Sequence, residues 1–266
     1  MSMRKLTRDI RNVMIYRATW GGSQNFLGAP WVEHVVGNCP VRVRERVALR
    51  MLSLSPHYFY DLDVQGEHAR NRQSRQILAD TLIAPHLTVQ ARALDYGCGP
   101  GYLAAAVADK AAHVDAVDIS RGVLACARAL NGRPNVSYLT PAELGRHSAA
   151  ADVAYSFAVV QHLRTPALTQ MLGILGRQVR PGGVLLLHFA IPDQVWRTET
   201  EWLASPSLAA RAKLRYGLNC FGRSAVEMTD LVARSGFTDV SVESLSGRKS
   251  LSADDVAEQY LLIARR

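Results

Sequence analysis

Residues 92–105 read Arg-Ala-Leu-Asp-Tyr-Gly-Cys-Gly-Pro-Gly-Tyr-Leu-Ala-Ala. A short apolar run ends in an acid and passes through Gly97, Gly99 and Gly101 into a helical stretch. Glycines at alternate positions let the backbone take angles closed to other residues, and let a ligand lie against bare amides at the start of a helix. The unit predicts an α/β architecture with a ligand held at the strand's carboxyl edge. The same turn also arises where a helix merely packs closely on a strand, so the residues that follow carry the decision.

Residues 112–120, Ala-His-Val-Asp-Ala-Val-Asp-Ile-Ser, form a second apolar strand ending in Asp118, and Ser120 is placed to cap the helix after it. An acid at the tip of a second strand suits ribose hydroxyls. In dinucleotide folds an acid about 20 residues past the glycines does this, so spacing alone leaves a nicotinamide cofactor and S-adenosylmethionine both open. Phosphate separates them. A dinucleotide loop spaces its glycines Gly-x-Gly-x-x-Gly to admit a pyrophosphate, whereas this loop is Gly-x-Gly-x-Gly behind Asp95, whose charge repels phosphate and attracts an ammonium.

Further landmarks follow in order: a fourth strand with the exit Gln161-His162-Leu163, a turn Arg180-Pro-Gly-Gly183 feeding a fifth strand, Gly236-Phe237, and a closing strand from Tyr260. From about Leu94 to Arg266 the chain resembles the class I S-adenosylmethionine-dependent methyltransferases. The resemblance implies a Rossmann-like seven-stranded, mainly parallel sheet with helices on both faces. It implies S-adenosyl-L-methionine as cofactor, with Asp95, Gly97, Gly99 and Gly101 at its methionine end, and Asp118 and Ile119 at the ribose and adenine. Ala142, Glu143 and Ser156 complete the expected cofactor contacts.

A chain of 266 residues, 48% hydrophobic and 20% charged, suffices for one full core plus an extra element. The expected division is an N-terminal helical cap over residues 1–84 and a methyltransferase domain over 85–266. No run of about 18 uncharged apolar residues is present and the first residues lack the apolar stretch of a signal peptide, so a cytoplasmic protein is expected. Cys39, Cys98, Cys126 and Cys220 form no Cys-x-x-Cys pair, which argues against a zinc ribbon or a disulfide framework. Cys98 reads as a small packing residue within the glycine loop.

The formal net charge is +8, and residues 1–50 contribute nine basic against three acidic side chains. A basic segment fits nucleic acid, anionic lipid or phosphorylated small molecules, and fits a solvated arginine-rich face equally well. No RNA-binding module pattern is visible, so nucleic acid is not the expected partner. Residues 41–53 begin with alternation and end with helical spacing, which leaves their structure open. A helix is expected over 65–84, preceded by His57, Tyr58 and Tyr60, which read as interface packing ahead of substrate contact. Trp20, Phe26, Leu27 and Trp31 show no sustained helical moment for a membrane surface.

Thr165-Pro166 starts one amphipathic helix, and Ser224 to Glu227 forms a capping box for another that Gly236 ends. Between the fifth strand and that box lie residues 191–223, far longer than the usual connection of about 2 to 6 residues. This insertion carries Asp193, Trp196, Arg197, Glu199, Trp202, Tyr216, Asn219 and Cys220, a mixture suited to walling an organic acceptor.

Methyl transfer from a sulfonium is an in-line displacement, and a hydroxyl acceptor needs a general base while an unprotonated amine does not. His188, which interrupts an apolar strand, is the first candidate base, and His162, after the fourth strand, the second; for each, a satisfied structural histidine is the competing role. Three departures from the family pattern narrow the reading. After the third strand the expected acid and small residue are replaced by Thr140-Pro141-Ala142-Glu143, leaving the Ala142 amide and Glu143 to serve the adenine. The fourth strand ends in Ser156-Phe-Ala rather than Pro-Pro-Tyr or Pro-Pro-Phe, which argues against nucleobase amines. No metal-ligand cluster stands beside the acceptor loops, so magnesium-dependent catechol chemistry is not supported. The expected activity is O-methylation of a small molecule: a natural product, a quinone, or a sugar or glycan intermediate. The alternative is a nucleic-acid or ribonucleoprotein methyltransferase, or a cofactor-binding accessory subunit that uses the basic N-terminus.

Overall fold

A computed structural model describes residues 30–55, 58–59, 63–146, 150–193, 196–208, 210–211, 214, 220–245 and 258–266. The sequence features at Trp20, Phe26, Leu27, His57, Tyr60, Tyr216 and Asn219, and the basic residues Arg4, Lys5, Arg8, Arg11 and Arg17, lie outside the described residues.

The strands are β1 Arg92–Tyr96, β2 His113–Val117, β3 Val136–Leu139, β4 Ala151–Ser156, β5 Val179–Ala190, β6 Thr238–Ser244 and β7 Gln259–Arg265. They form one seven-stranded sheet in the order β3-β2-β1-β4-β5-β7-β6. β1 to β5 run parallel, and β7 is inserted antiparallel between β5 and β6. Strand order reverses between β1 and β4, and in an open parallel sheet that reversal opens a crevice outside the carboxyl ends of the strands. The glycine loop leaves β1 at that point.

The helices are α1 Pro30–Asn38, α2 Val41–Ser53, α3 Val64–Leu78, α4 Tyr102–Ala108, α5 Arg121–Asn131, α6 Pro141–Leu144, α7 Thr165–Gln178, α8 Glu199–Ala204 and α9 Ala225–Arg234. Leu78, Leu82, Leu103 and Val107 pack on one face of the sheet against Ala93, Val153, Tyr155 and Leu186. Leu168, Leu172 and Leu175 of α7 and Met228 and Val232 of α9 cover the other face. Each of these leucines, at most 6% exposed, contributes about 1.5–3 kcal/mol of burial. A third core joins Val32, Val36, Leu49, Leu52 and Phe59 to Tyr102, Val123 and Cys126, so the N-terminal helices are fastened to α5 and to the first residue of α4.

The ambiguous segment 41–53 is a single helix. Ala48, Leu49 and Leu52 are buried on one side while Arg42, Arg46 and Arg50 stay exposed, and the tertiary contact resolves what periodicity left open. The helix expected over 65–84 ends its α-helical part at Leu78 and continues as a π turn, Ala79–Ile83, and a 3-10 turn, Ala84–His86. Pro85 lacks the amide that a continuing α-helix would use. Arg180-Pro-Gly-Gly183 bulges within β5, since Val179 pairs with Ala151 and pairing resumes at Val184 with Val153. Gly182 has φ +78, and a Cβ on Gly183 would meet the Asp152 carbonyl oxygen at 2.9 Å, so this bulge requires both glycines.

Candidate functional site

Gly97, Gly99 and Gly101 all take positive φ, at +83, +52 and +79. The turn is tied to β2, where the Val117 carbonyl accepts from the amides of Gly97 at 2.7 Å and Cys98 at 2.9 Å. A Cβ on Gly97 would meet Val159 at 2.3 Å and one on Gly101 would meet the Tyr138 hydroxyl at 2.5 Å, so the loop is closely backed on both sides. Over Gly99 the nearest group is the Tyr58 ring, whose Cε1 lies 3.2 Å from such a Cβ. Tyr58 therefore covers the loop itself, and burial together with the Asp118 charge pushes its hydroxyl pKa well up.

Asp118 anchors this half of the crevice. One carboxylate oxygen accepts from the Gly99 amide at 3.1 Å and the other from the Ser120 amide at 2.9 Å. Burial raises its pKa, and the amides of Ser120, Gly99 and Ile119 oppose that rise. Each oxygen keeps a second lone pair for a ligand hydroxyl. Beside it Ile119 is 83% exposed, an apolar platform at the lip of the crevice. Asp95 is only 2% exposed, and its Oδ2 finds no hydrogen-bond partner. Burial, then the nearby Asp118 charge, push its pKa up to about 8. The glycine amides are all engaged within the protein, Gly97 with Val117, Gly99 with Asp118 and Gly101 with the Cys98 carbonyl at 3.0 Å, so the loop offers a ligand a surface without side chains and not free donors. That surface, a ribose-type acceptor pair, an exposed apolar residue and an orphaned carboxylate oxygen fit a nucleoside that carries an ammonium.

Two of the expected cofactor residues, Glu143 and Ser156, have local tasks in the fold. The Glu143 carboxylate accepts from the Thr140 amide at 2.7 Å and from its hydroxyl at 2.9 Å, closing a capping box on α6. Those hydrogen bonds hold its pKa down. Ala142 lies in the first turn of α6, where amides have no intrahelical acceptor and face outward. Ser156 is fully buried and donates to the Tyr96 carbonyl at 2.7 Å, tying the end of β4 to the end of β1.

His188, the first candidate base, is enclosed and hydrogen-bonded through both ring nitrogens. It is 3% exposed, its Nδ1 accepts from the Ala158 amide at 3.2 Å and its Nε2 lies 2.9 Å from Gln259 Oε1. With Nδ1 accepting, Nε2 carries the proton and donates to Gln259. Burial pushes the pKa down to about 4, and the ring stacks on Phe157 at 6.0 Å. Ala158 has φ +58, a conformation that a non-glycine side chain rarely adopts, so His188 holds the strained exit of β4 in place. His162 sits one turn on, at the end of the 3-10 turn Val160–His162 and partly exposed.

The insertion is fixed by charges that motif reading misses. The Glu199 carboxylate accepts from the Thr165 amide and hydroxyl, each at 2.7 Å, and pairs with Arg164 Nε at 2.8 Å, so α8 caps the start of α7. Arg223 is 2% exposed and donates to Glu227, to Thr165 Oγ1 at 3.1 Å and to the Leu163 carbonyl at 2.7 Å, with Glu199 at 3.7 Å. The expected capping box at Ser224 is therefore half formed: the Ser224 hydroxyl accepts from the Glu227 amide while the Glu227 carboxylate turns to Arg223. The Phe221 amide donates to the Gln161 carbonyl at 2.7 Å, placing the end of the insertion against the β4 exit. Trp202, Ala210 and Phe221 form a small core of their own.

All four cysteines are free thiols. Among the described residues no group of three or more His, Cys, Asp or Glu side chains stands together as metal ligands, and no helix is long and apolar enough to cross a membrane.

Residues 93–183 match the family model described as "Methyltransferase domain". A probable S-adenosylmethionine-dependent methyltransferase of Mycolicibacterium smegmatis is 37% identical over 94 residues, covering 35% of this chain and 36% of that protein. A malonyl-[acyl-carrier protein] O-methyltransferase of Enterobacter lignolyticus is 29% identical over 161 residues, 60% of each chain. A ubiquinone biosynthesis O-methyltransferase of Saccharophagus degradans is 29% identical over 126 residues, 46% of this chain and 52% of that one. The matches thus span from about a third to three fifths of these relatives. Among solved structures, a magnesium protoporphyrin IX methyltransferase from Synechocystis with bound SAH shares the fold with a TM-score of 0.52 at 19% identity, over 74% of this chain and 84% of that one. Phosphoethanolamine N-methyltransferase 2 of Haemonchus contortus in complex with S-adenosyl-L-methionine does so with a TM-score of 0.51 at 16% identity, over 73% and 52%.

Proposed function

We propose that this chain, which carries a class I S-adenosylmethionine-dependent methyltransferase domain, methylates an oxygen of a small organic acceptor. The observation that carries the cofactor assignment is the Asp118 carboxylate, bound by the Gly99 and Ser120 amides at the tip of β2 with lone pairs left for two hydroxyls. Asp118 holds the ribose, Ile119 lies against the adenine, and the Ala142 amide serves the adenine edge while Glu143 keeps that turn in place. The glycine loop carries the methionine portion and Asp95 its ammonium. When bound, the cofactor supplies an electrophilic methyl group on a positively charged sulfur.

The protein's part is alignment and exclusion of water. Residues 191–223, clipped to the β4 exit, form the acceptor wall, and the Trp202 and Phe221 core gives that wall a fixed shape. His188 positions Ala158 instead of taking a proton, because both ring nitrogens are engaged and its pKa lies at about 4. His162 is then the candidate base where the acceptor is an alcohol, and an ionised acceptor needs none. The O-methyltransferase relatives support oxygen as the acceptor atom. A cytoplasmic setting remains part of this proposal.

Asp118→Ala is expected to weaken S-adenosylhomocysteine binding by about 1–3 kcal/mol in calorimetry, the cost of removing hydrogen bonds to a charged group. Unchanged affinity removes the assignment, and tight NADH binding by the unaltered protein sinks the cofactor. The second reading, a nucleic-acid acceptor, is favoured by Arg42, Arg46 and Arg50, exposed along one side of α2. It predicts RNA affinity that falls steeply with salt and with neutralisation of those three arginines.

A further inference from the structure

The edge of the sheet opposite the glycine loop holds a second polar recess. There β1, β4 and β5 begin and β7 ends, so Ala93, Val153, Val184 and Arg265 lie side by side across four neighbouring strands. The first three belong to the core on the α3 face, which puts Arg265 on that face too, at the margin where the core gives out. The 3-10 turn Ala84–His86 closes the same margin. Between turn and sheet lies a cavity of about 290 Å³, whose lining includes His86, Thr88, Asp152, Arg180 and Arg265.

The charges around this cavity do not balance. Arg180 stands on the bulge that Gly182 and Gly183 require, and its Nε is held by Asp152 Oδ1 at 2.5 Å. The other oxygen of Asp152 accepts from the Arg92 amide at 2.7 Å, so the one acid of the lining is engaged on both sides. Arg180 Nη1 reaches the Pro181 carbonyl at 3.3 Å, which leaves Nη2 without a hydrogen bond among the described residues. The Arg265 guanidinium has no hydrogen bond and no carboxylate within ion-pair distance among them. His86 shares the recess: burial, then the Arg265 charge, lower its pKa, and Glu243 opposes them from outside the lining. A confined space with cationic groups in excess concentrates anions and repels ammonium groups. The planar donors of a guanidinium match two oxygens of one oxyanion, and the His86 ring and the Thr88 hydroxyl stand ready to add single donors.

We propose that this recess binds a small oxyanion, a phosphate group either free or carried on a small molecule, at the edge of the sheet opposite the crevice assigned to the cofactor. The volume lies just under the roughly 300 Å³ at which small-molecule sites begin, so the occupant is smaller than a nucleoside cofactor. Bound there, it joins the turn after α3 to β5 and β7 and holds the end of that helix to the sheet from outside the core.

The test titrates inorganic phosphate, and separately glycerol 3-phosphate, into the full chain by calorimetry at constant ionic strength, first alone and then with saturating S-adenosylhomocysteine. A Kd of about 1 mM or tighter is expected for at least one of the two, unchanged by S-adenosylhomocysteine. Tighter binding of phosphate itself identifies the free ion as occupant, and tighter binding of glycerol 3-phosphate identifies a phosphomonoester. Arg265→Gln is expected to weaken the anion by about 10-fold or more, and Arg265→Lys to recover part of that loss. Arg133→Gln, which removes an exposed charge outside the recess, should leave the affinity within about twofold. Arg265 is exposed, so its variants should melt as the unaltered protein does without phosphate, and added phosphate should raise the melting temperature of the unaltered protein alone. Failure of both anions to bind at that level overturns the proposal. An equal loss in Arg133→Gln overturns it by reducing the effect to overall charge, and competition between phosphate and S-adenosylhomocysteine does so by moving the anion to the crevice. If S-adenosylhomocysteine itself does not bind, the Arg265 comparison still decides, so this proposal stands or falls apart from the cofactor reading.

Discussion

Asp95 and Arg223 are equally buried, each 2% exposed, and flank one crevice, yet the protein treats them in opposite ways. Arg223 meets Glu227, Thr165, the Leu163 carbonyl and Glu199, four partners drawn from three segments of chain. Asp95 keeps one oxygen without any partner, and burial together with the Asp118 charge raises its pKa to about 8. A buried charge that is fully paired fastens structure, and one left unpaired is held ready for something absent from the chain. By that criterion the insertion proposed as the acceptor wall is scaffold at its roots, and the glycine-loop side is where the proposed ligand would complete the polar contacts.

The largest expected effect comes from breaking the paired side. Arg223→Met removes the cation from between Glu199 and Glu227 and is expected to cost about 3–5 kcal/mol of stability in chemical denaturation. S-adenosylhomocysteine affinity of the folded fraction should stay within twofold. A loss below about 1 kcal/mol would put Arg223 on the same footing as a surface ion pair and dissolve the contrast.

Asp95→Asn tests the unpaired side and should shift stability in the other direction. A carboxyl whose folded pKa lies above its ordinary 3.8 favours the fold when protonated, and that contribution is lost as pH rises through about 8. The variant is therefore expected to be more stable than the unaltered protein by about 2–3 kcal/mol at pH 8 to 9 and less stable toward pH 4, because the amide is neutral throughout but carries at every pH the cost of its own missing partner. Thermal melts across that range decide it. The same variant should bind S-adenosylhomocysteine more weakly, so stability gained and affinity lost would come from one atom.

His188 supplies the smallest effect. Its folded pKa, about 4, lies below the ordinary 6.5, so its contribution is present above 6.5 and lost as pH falls from there toward 4. His188→Gln is expected to flatten the fall of melting temperature between pH 6.5 and 4.5, by an amount equivalent to about 1–2 kcal/mol. Turnover of the unaltered protein should show no ionisation near 6.5 that disappears in this variant. If it does, His188 takes a proton after all and the hydrogen bonds to Ala158 and Gln259 are not its main role.

The glycine loop and Asp118 are legible in the sequence because their chemistry is local: the positive φ angles, the strand end and the acid lie within about twenty residues of one another. The same holds for the Thr140 and Ser224 caps, although the Ser224 box closes only halfway because a residue outside the motif, Arg223, competes for Glu227. His188 stands out as a polar interruption in an apolar strand. Its role does not follow from that, since the group that occupies Nε2, Gln259, is 71 residues away and reaches it only because β7 runs antiparallel beside β5. Glu143 fits an adenine-holding acid by position, but the backbone it must reach first is its own helix start.

Glu199 and Arg223 close the intervening chain into a loop whose two ends are secured to the same short stretch, residues 163–165. A longer or shorter segment strung between those two side chains alters the closure entropy by only about 0.6 kcal/mol per doubling, while β5, α7 and α9 keep their seats. On the proposed reading of this segment as the acceptor wall, it is an exchangeable cassette on a fixed socket, and a change of substrate can come from rewriting the residues between Glu199 and Arg223 with the nucleoside half left untouched.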